Sequence, residues 1–382
     1  MIYLDHNAGA PLLPEIKDHL STAFESAWGN PSSVHQAGRV ARKRLDDARE
    51  RVARVLGCTP REVTFCGSGS EAAAIAVLGA FRGRKDRSRT RVVTTAIEHP
   101  CVLGAVKILE SEGAEVVRIA PRGDGAVALE AVLAAVNEET ALVSVQWVNN
   151  ETGVLQPAGE LARACLKLGV PFHCDAVQAF GRIPASLREV PAALLSLSAH
   201  KLGGPAGVGV LFARRGLDVQ ALTPGHQENG RRGGTQSVVM AECMAMALEH
   251  ASKSYEALTA HVTPLRDRLE NELIAALPGV TRNGTAPRVG ATANLQFPGV
   301  DGEALLIALD LAGICVSTGA ACASGSLTPS HVLLAMGRTS AEASGSLRFS
   351  LGAGTTAPEI DAAIAAVIAQ VKAQLAQPRP AQ

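Results

Sequence analysis

A lysine stands between an apolar run and a glycine-rich turn. Lys201 lies in segment 198–205, Ser-Ala-His-Lys-Leu-Gly-Gly-Pro, where Ser198 and His200 place two polar side chains beside it. A lysine amine has an ordinary pKa of about 10.4 and forms Schiff bases when its surroundings lower that value. Glycines let a cofactor approach the backbone closely. A lysine at a strand end is ordinarily a solvated surface residue, but this context favours a Schiff-base lysine.

An aspartate ends a second apolar run. Asp175 follows segment 170–174, and a carboxylate at the end of a buried strand is costly unless it is paired. It could bind a protonated pyridine nitrogen, which makes a pyridoxal ring a better electron sink. It could equally be the N-cap of a following helix, a role that aspartate often takes. The residue alone leaves both roles open.

A turn of glycine and serine precedes a predicted helix. Segment 67–71, Gly-Ser-Gly-Ser-Glu, joins an apolar run to a helical pattern. Backbone N–H groups at such a helix start, with the hydroxyls of Ser68 and Ser70, can bind an anion. The segment matches neither a Walker A sequence nor Gly-x-Gly-x-x-Gly, so it does not predict a nucleotide triphosphate site. A capping box from Ser68 to Glu71 is the structural alternative, and both roles are compatible.

Two further polar residues follow predicted strands. His99 lies in segment 97–100, where a histidine can stack on a planar cofactor or move protons, although a single histidine is more often structural or exposed. Asn150 lies in segment 149–153, Asn-Asn-Glu-Thr-Gly, a sequence that is typical of a turn. An asparagine amide there could also donate to a ring oxygen.

A cysteine and an arginine follow later in the chain. Cys322 lies in segment 317–326, which holds almost no large side chain; we expect a mobile, exposed loop with a reactive thiol. Arg348 lies in the alternating run 346–351, whose apolar residues share one face while Arg348 and two serines share the other. The small serines leave room for a guanidinium that binds a carboxylate through two hydrogen bonds. An ordinary exposed strand arginine is the alternative.

Alternating strand and helix patterns are expected to position these residues. Between residues 60 and 215, helical patterns separate most of the predicted strands, which indicates an α/β fold with a mostly parallel seven-stranded sheet covered by helices. Ligands in such sheets gather where strands end and helices begin. The predicted strands are 63–65, 91–95, 115–120, 141–148, 171–174, 193–198 and 207–213, and the helices between them include 70–80, 100–111 and 158–168.

The C-terminal part of the chain has a different pattern. A long helical segment rich in alanine and methionine is expected to end or kink at Pro264. Predicted strands 292–297, 314–317 and 346–350, with a helix at 301–311, indicate a smaller α+β domain. We therefore expect a large domain over residues 13–254 and a small domain built from residues 1–12 and 255–382.

Composition excludes several classes of protein. Lys+Arg and Asp+Glu both number 36 and aromatic residues make up 3%, so neither a basic field nor a stacking surface predicts nucleic acid binding. No apolar stretch is long enough to cross a membrane. The N-terminus has no signal-peptide pattern, so we expect the eight cysteines to be free thiols in the cytoplasm. No metal site stands out, because residues 173–175 are successive strand positions on opposite faces.

These motifs, in this order, resemble the cysteine desulfurases of the Nif/Isc type, within the class V aminotransferase group of pyridoxal-phosphate enzymes of fold type I. The resemblance covers nearly the whole chain. Its motifs are Tyr-Leu-Asp at 3–5, Gly-Asn-Pro-Ser-Ser-Val-His at 29–35, Gly-Arg at 38–39, Glu-His at 98–99, Val-Asn-Asn-Glu-Thr-Gly at 148–153, Asp-Ala-Val-Gln at 175–178, Ser-Ala-His-Lys at 198–201, Gln-Glu at 227–228, Gly-Arg-Arg at 230–232, Gly-Thr at 234–235, the Cys322 segment and Ser-Leu-Arg-Phe-Ser at 346–350.

The resemblance implies a role for each matching position. Lys201 would be the Schiff-base lysine, His99 the histidine stacked on the ring, and Asp175 the partner of the pyridine nitrogen. Arg348 would bind the substrate carboxylate, and Cys322 would accept the sulfur. The remaining implied contacts are those of Gln178 and Asn150 with the ring oxygen and the substrate side, of Gly69, Ser70, Ser198 and His200 with the phosphate, and of Thr235 with the phosphate of the other subunit in a homodimer with shared active sites.

The resemblance also implies the reaction. L-cysteine would be converted to L-alanine with pyridoxal 5'-phosphate as cofactor, and the sulfur would pass to Cys322 as a persulfide for a sulfur-acceptor protein. Iron–sulfur cluster assembly and other thiolation reactions would use the same donor, and Cys322 would touch a cluster only in transit. A selenocysteine lyase, another class V aminotransferase and an inactive scaffold are the alternatives. Gly9 and Ala10 replace two threonines common in the family, and Ala74 replaces a usual asparagine.

Overall fold

The computed structural model describes residues 1–26, 28–318 and 328–376. Short 3₁₀ turns lie at Pro60–Glu62, Ala199–Lys201 and Glu228–Gly230, and a π-helical turn lies at Ile75–Gly79. The strands are β1 (Ile2–Tyr3), β2 (Val63–Cys66), β3 (Arg91–Thr95), β4 (Glu115–Ile119), β5 (Thr140–Gln146), β6 (Phe172–Asp175), β7 (Leu194–Ser198), β8 (Gly209–Ala213), β9 (Thr281–Arg282), β10 (Thr292–Gln296), β11 (Ile314–Cys315) and β12 (Ser346–Ser350). The α-helices are α1 (Pro14–Ser26), α2 (Gln36–Leu56), α3 (Gly69–Ala74), α4 (Ala80–Gly83), α5 (Pro100–Ser111), α6 (Leu129–Ala134), α7 (Ala158–Leu168), α8 (Val238–Ala276), α9 (Gly302–Leu311), α10 (His331–Ala335), α11 (Ser340–Ser344) and α12 (Ala357–Ala376).

The large sheet has seven strands in the order β2-β8-β7-β6-β5-β3-β4. Strands β4, β3, β5, β6 and β7 run parallel to one another, while β8 runs antiparallel to both β7 and β2. Helices connect most of the parallel strands, as crossover connections between parallel strands require. The predicted α/β fold with a mostly parallel seven-stranded sheet is therefore confirmed.

Apolar side chains on both faces of this sheet are buried. Val93, Val143 and Leu195 pack on one face with residues of α2, α7 and α8. Their neighbours Leu142 and Leu194 pack on the opposite face with residues of α3 and α5. Alternate residues of a strand point to opposite faces, so a strand covered on both sides reads as a continuous apolar run. With both faces covered, the strand ends are where this sheet is open to a ligand.

A second core lies among the N-terminal strand, the C-terminal helices and an antiparallel sheet of order β12-β10-β9. Leu347 and Phe349 of β12 are fully buried in this core, as the alternating pattern predicts. Arg348 between them is only 2% exposed, so the alternative of an ordinary exposed strand arginine is wrong. The opposite face of β12 is covered as well.

Helix α8 contributes to both cores. Its N-terminal half buries Met244 and Leu248 in the core of the large sheet, and its C-terminal half buries Leu269 and Leu273 in the second core. The expectation that the helix could end at Pro264 is wrong, since the helix continues through that residue. Packing of both halves outweighs the hydrogen bond that proline cannot donate. The proposed division of the chain after residue 254 stays a prediction.

Among residues 1–26, 28–318 and 328–376, no helix combines the length and apolarity that crossing a membrane would require.

Candidate active site

Lys201 lies just beyond the end of β7, in the 3₁₀ turn Ala199–Lys201. Its Nζ donates to the carbonyl oxygen of Asn7 at 2.7 Å and to that of Ala8 at 2.7 Å. These acceptors belong to the N-terminal segment, which crosses the carboxyl edge of the large sheet at this point. The amine is thus held at the strand ends, where the fold predicts a ligand site.

Asp175 is the last residue of the neighbouring strand β6 and is 8% exposed. Its Oδ1 accepts a hydrogen bond from the Val177 backbone N–H at 3.0 Å. Burial raises the pKa of the Asp175 carboxyl, while His99, the Val177 N–H, Ser196 and Lys201 act in the opposite direction. The residues that follow form a turn and no helix, so the helix N-cap interpretation of Asp175 is wrong.

His99 precedes α5 and is its N-cap. Its Nδ1 accepts from the Cys101 backbone N–H at 3.2 Å and lies 2.9 Å from Cys101 Sγ. Because Nδ1 is an acceptor, the neutral ring carries its proton on Nε2. Burial lowers the pKa of His99, an effect that Lys201 and His331 reinforce and Asp175 opposes. His99, Asp175 and Lys201 therefore act on one another electrostatically; the structural role of His99 as a helix N-cap is present, and its role toward a cofactor stays a prediction.

The glycine–serine turn before α3 packs against the end of β7. A Cβ atom on Gly69 would lie 2.9 Å from Ser198 Cβ and 3.1 Å from Val177 Cγ2, so this close approach requires glycine. Ser198 Oγ is 2.8 Å from His200 Nδ1. The turn, the serine and the histidine that the family resemblance assigns to a phosphate are thus brought together beside Asp175.

The expected capping box at this turn is only half formed. The Ser68 hydroxyl accepts from the Glu71 backbone N–H at 3.0 Å, as predicted. The Glu71 carboxylate accepts from the Gly67 N–H instead of that of Ser68, and it also pairs with Arg232 at 3.0 Å. The N-terminal N–H groups of α3 that remain uncapped are the ones that can face an anion.

Arg348 binds two of the elements that surround the site. Its Nη2 lies 2.6 Å from Asp5 Oδ1, and its Nη1 donates to the Asn150 carbonyl oxygen at 3.1 Å. Its Nε is buried and has no hydrogen-bond partner. An unpartnered donor in a buried guanidinium is costly, so a ligand atom that accepted from Nε would remove this cost.

Asn7 is a site residue that the sequence analysis missed. Its Nδ2 donates to the Asn150 carbonyl oxygen and to Thr292 Oγ1, each at 3.0 Å. Its Oδ1 accepts from Arg182 at 3.2 Å, and its carbonyl oxygen accepts from Gln178 Nε2 at 3.0 Å. Only its position beside the Tyr-Leu-Asp motif could have indicated it, because a hub of this kind is made by tertiary contacts.

Two buried acids inside the family motifs received no role from the sequence analysis. Glu98 is fully buried, and burial raises the pKa of its carboxyl to about 8. Its Oε1 accepts from Thr95 Oγ1 at 2.6 Å and from the Gln146 N–H at 3.0 Å, while Oε2 has no partner. Burial likewise raises the pKa of Glu151, whose Oε2 accepts from Ser330 Oγ at 2.5 Å.

Two predicted site residues remain, Cys322 and Thr235. Cys322 lies outside the described residues, which stop at 318 and resume at 328. Before this gap, Ser317 exchanges backbone hydrogen bonds with Arg348 at 3.1 and 2.6 Å; after it, Ser330 binds Glu151. Thr235 is exposed and is not brought to the site of its own chain by any contact that the structure shows.

Within the described residues, no group of three or more histidine, cysteine, aspartate or glutamate side chains could hold a metal ion. The arrangement instead offers an amine, a buried carboxylate, a ring nitrogen and an N–H turn around one point at the edge of the sheet. Such a set can hold a planar, phosphorylated aldehyde and can move protons beside it.

Comparison with known proteins gives consistent results. The sequence profile of the family described as Aminotransferase class-V matches residues 2–363. A cysteine desulfurase of Klebsiella pneumoniae is 41% identical over 394 residues, which cover 100% of this chain and 97% of the relative. An IscS-like cysteine desulfurase of Mycobacterium tuberculosis is 41% identical, with 95% and 94% covered. Cysteine desulfurase NifS of Azotobacter vinelandii is 40% identical, with 95% and 90% covered.

Solved structures agree. A NifS-like protein superposes with a TM-score of 0.88 at 32% identity, covering 98% of this chain and 99% of the other. A NifS-like protein from Rickettsia africae superposes with a TM-score of 0.86 at 30% identity, covering 97% and 99%.

Proposed function

The chain belongs to the class V aminotransferase family, and we propose that it is a cysteine desulfurase that uses pyridoxal 5'-phosphate. The observation that carries this proposal is the convergence of Lys201, Asp175 and His99 at the carboxyl edge of the sheet, next to the turn at Gly69. The full-length similarity to cysteine desulfurases supports the same activity. An inactive scaffold has no need of these three residues together.

The described residues fit the proposed cofactor. Lys201 would bind its aldehyde, Asp175 its pyridine nitrogen and His99 the face of its ring. Gln178 has a buried Oε1 without a partner, which supports a contact with a hydroxyl of the ring, and Asn150 would lie on the substrate side. Gly69, Ser70, Ser198 and His200 would hold the phosphate. When bound, the pyridine ring supplies an electron sink for charge that develops at the substrate α-carbon.

Arg348 is proposed to bind the carboxylate of L-cysteine. Its guanidinium is buried, is oriented by Asp5 and by the Asn150 carbonyl, and keeps one donor, Nε, without a partner. A carboxylate that replaced the Asn150 contact and used Nε would be bound through two hydrogen bonds. The carboxylate of the substrate would then fix the orientation of the rest of the molecule.

Proton transfer at the α-carbon is proposed for Lys201. Its Nζ is held between two backbone carbonyls of the N-terminal segment, so the amine has a fixed position from which to accept or return a proton. His99, with its proton on Nε2, would donate from the other side of the site.

Cys322 is proposed as the sulfur acceptor. Its thiolate would attack the substrate sulfur; the S–S bond forms as the substrate Cβ–S bond breaks, and the electron pair of that bond goes to the carbon. Protonation there yields L-alanine, and the enzyme keeps a persulfide for a sulfur-acceptor protein. Both flanks of segment 319–327 bind site residues, since Ser317 pairs with Arg348 and Ser330 with Glu151, which supports a thiol that is tethered near the site.

We also propose a compartment and an oligomeric state for the enzyme. All the described cysteines are free thiols, which supports a reducing compartment such as the cytoplasm. A homodimer is proposed because Thr235 is exposed and would complete the phosphate site of the other subunit.

The proposal is tested by Cys322→Ala. The variant should keep the visible absorption band of the bound cofactor and lose sulfide release from L-cysteine in the presence of a thiol reductant. Cys58→Ala is the matched control, because burial raises the pKa of the Cys58 thiol to about 12 and leaves it unreactive. Normal sulfide release by Cys322→Ala would contradict a desulfurase. A strong preference for selenocysteine would indicate a lyase, and amino transfer to an oxo acid would indicate another aminotransferase.

A further inference from the structure

A buried polar stripe crosses the large sheet beneath the proposed cofactor site. Ser144 on β5, His173 on β6 and Ser196 on β7 are all 0% exposed. Ser144 and Ser196 follow Leu142 and Leu194 by two residues, so they share the face that packs against α3 and α5. The proposed mechanism uses none of these three residues, although Asp175 follows His173 by two residues on the same strand and face.

Hydrogen bonds connect the three side chains. Ser144 Oγ lies 2.8 Å from His173 Nδ1, and His173 Nε2 lies 3.2 Å from Ser196 Oγ. In the sheet, Ser144 is the partner of His173, and Ser196 is the partner of Asp175. Directly paired residues on one face of adjacent strands have neighbouring Cβ atoms. The stripe therefore ends beside Asp175, the register partner of Ser196, and the Ser196 hydroxyl acts to lower the pKa of the Asp175 carboxyl as a hydrogen-bond donor.

The chemistry of the groups fixes one direction for this chain of hydrogen bonds. Burial lowers the pKa of His173 to about 3, so the ring is neutral and carries a single N–H. A carboxylate only accepts hydrogen bonds, so the Ser196 O–H donates to Asp175. The Ser196 oxygen then accepts from His173 Nε2–H, and Nδ1 accepts from the Ser144 O–H. Both serine O–H groups and both ring nitrogens of His173 have a partner in this arrangement.

We infer that His173 is a positioning residue for Asp175 and acts through Ser196 to hold the carboxylate ionised and aimed at the pyridine nitrogen. The inference rests on the proposed role of Asp175 in cofactor binding. The stripe supplies a polarised donor from the side of Asp175 that faces the sheet, where water does not reach. Without it, the carboxylate would keep the Val177 N–H as its one backbone donor and would be costlier to bury in the charged form.

The competing explanation is that His173 is a core histidine whose hydrogen bonds only satisfy its own ring. The two explanations differ in what they predict for the cofactor. A merely structural histidine contributes to folding stability alone. A positioning histidine changes how tightly the apoprotein binds pyridoxal 5'-phosphate, because a hydrogen bond to a charged group is among the stronger ones in proteins.

The test removes the link and leaves both ends in place. In Ser196→Ala, the dissociation constant of pyridoxal 5'-phosphate, measured by titrating the apoprotein, should rise about tenfold or more. Ser196→Thr keeps the hydroxyl and should stay near the wild-type value. Thr94→Val is the matched control: Thr94 is equally buried, on β3 beside β5, and its hydroxyl donates to the Ser144 backbone carbonyl at 2.9 Å, outside the side-chain stripe. It should change the constant less than about twofold, since its hydroxyl bonds a backbone carbonyl and no side chain of the stripe.

A second measurement needs no variant. Nitrogen-15 NMR of the histidine-labelled apoprotein should show His173 as the neutral tautomer protonated on Nε2 between pH 6 and 8. An Nδ1-protonated ring, or a Ser196→Ala protein that folds and binds the cofactor as tightly as wild type, would overturn the inference while leaving the proposed function intact. A wild-type apoprotein that binds no pyridoxal 5'-phosphate would instead overturn the proposed function, and the inference with it.

Discussion

Replacing Asn7 with alanine should uncouple the N-terminal segment from the site. The side chain is 3% exposed and makes three hydrogen bonds: Nδ2 to Asn150 and Thr292, and Oδ1 from the Arg182 guanidinium. Two neutral hydrogen bonds contribute about 1 kcal/mol each and one to a charged group about 2 kcal/mol. The free energy of unfolding should therefore fall by about 4 kcal/mol.

The substitution should also impair binding and turnover of L-cysteine. The Asn7 carbonyl that accepts from Lys201 and Gln178 belongs to the backbone and survives the substitution. Without the side-chain anchors, however, the segment that carries it is free to shift, and the amine and the amide shift with it. A displacement of this kind near the reacting atoms raises KM for L-cysteine and lowers kcat.

The assay compares Asn7→Ala with Asn283→Ala. Asn283 is 0% exposed, and its Nδ2 donates to Asn294 at 2.9 Å and Ser346 at 3.0 Å, so it is a buried asparagine with no contact to the site. Urea denaturation should show about 2 kcal/mol lost in the control, with unchanged kinetics in sulfide release. If Asn7→Ala lost no more stability than the control and kept wild-type kinetics, the role of Asn7 as a hub would be refuted.

Two further predictions concern substrate binding by Arg348 and the effect of Glu98 on stability. Arg348→Lys should raise KM for L-cysteine about tenfold or more, with a smaller change in kcat. The reason is that an ammonium cannot replace a guanidinium that binds Asp5 and a carboxylate together. An unchanged KM in initial-rate kinetics would exclude Arg348 from carboxylate binding. Burial raises the pKa of Glu98 to about 8 in the folded protein. The folded state therefore binds more protons than the unfolded state between pH 4.5 and 8. As pH rises through that range, Glu98 lowers the free energy of unfolding by up to about 1.4 kcal/mol per pH unit. The stability of Glu98→Gln relative to wild type, measured by urea denaturation, should therefore increase from pH 5 to pH 8; a difference independent of pH would show that Glu98 titrates normally.

Elements with strong local signals were predicted well from the sequence. The predicted bounds of α5 and α7 match the structure at both ends. The N-cap His99 with the following proline defines the start of α5, and the left-handed Gly169 defines the end of α7. Arg348 illustrates the limit of such signals: period two assigned its face correctly, but its burial depends on the rest of the fold.

The missed parts of the site depend on contacts between distant segments. Asn7 meets Asn150, Arg182 and Thr292, which no spacing in the sequence connects to it. In the sequence, His173 stands out only beside Cys174 and Asp175, because its neighbours on adjacent strands depend on the strand order. Its partners Ser144 and Ser196 become visible only when β5, β6 and β7 are placed side by side.

The central claim is that one amine, that of Lys201, holds an aldehyde cofactor at the edge of the sheet. Reduction of the purified protein with borohydride, followed by peptide mapping by mass spectrometry, tests it directly. We predict that the visible absorption band disappears and that the reduced pyridoxyl phosphate adduct is found on Lys201. A protein without the band, or an adduct on any other lysine, would contradict the claim.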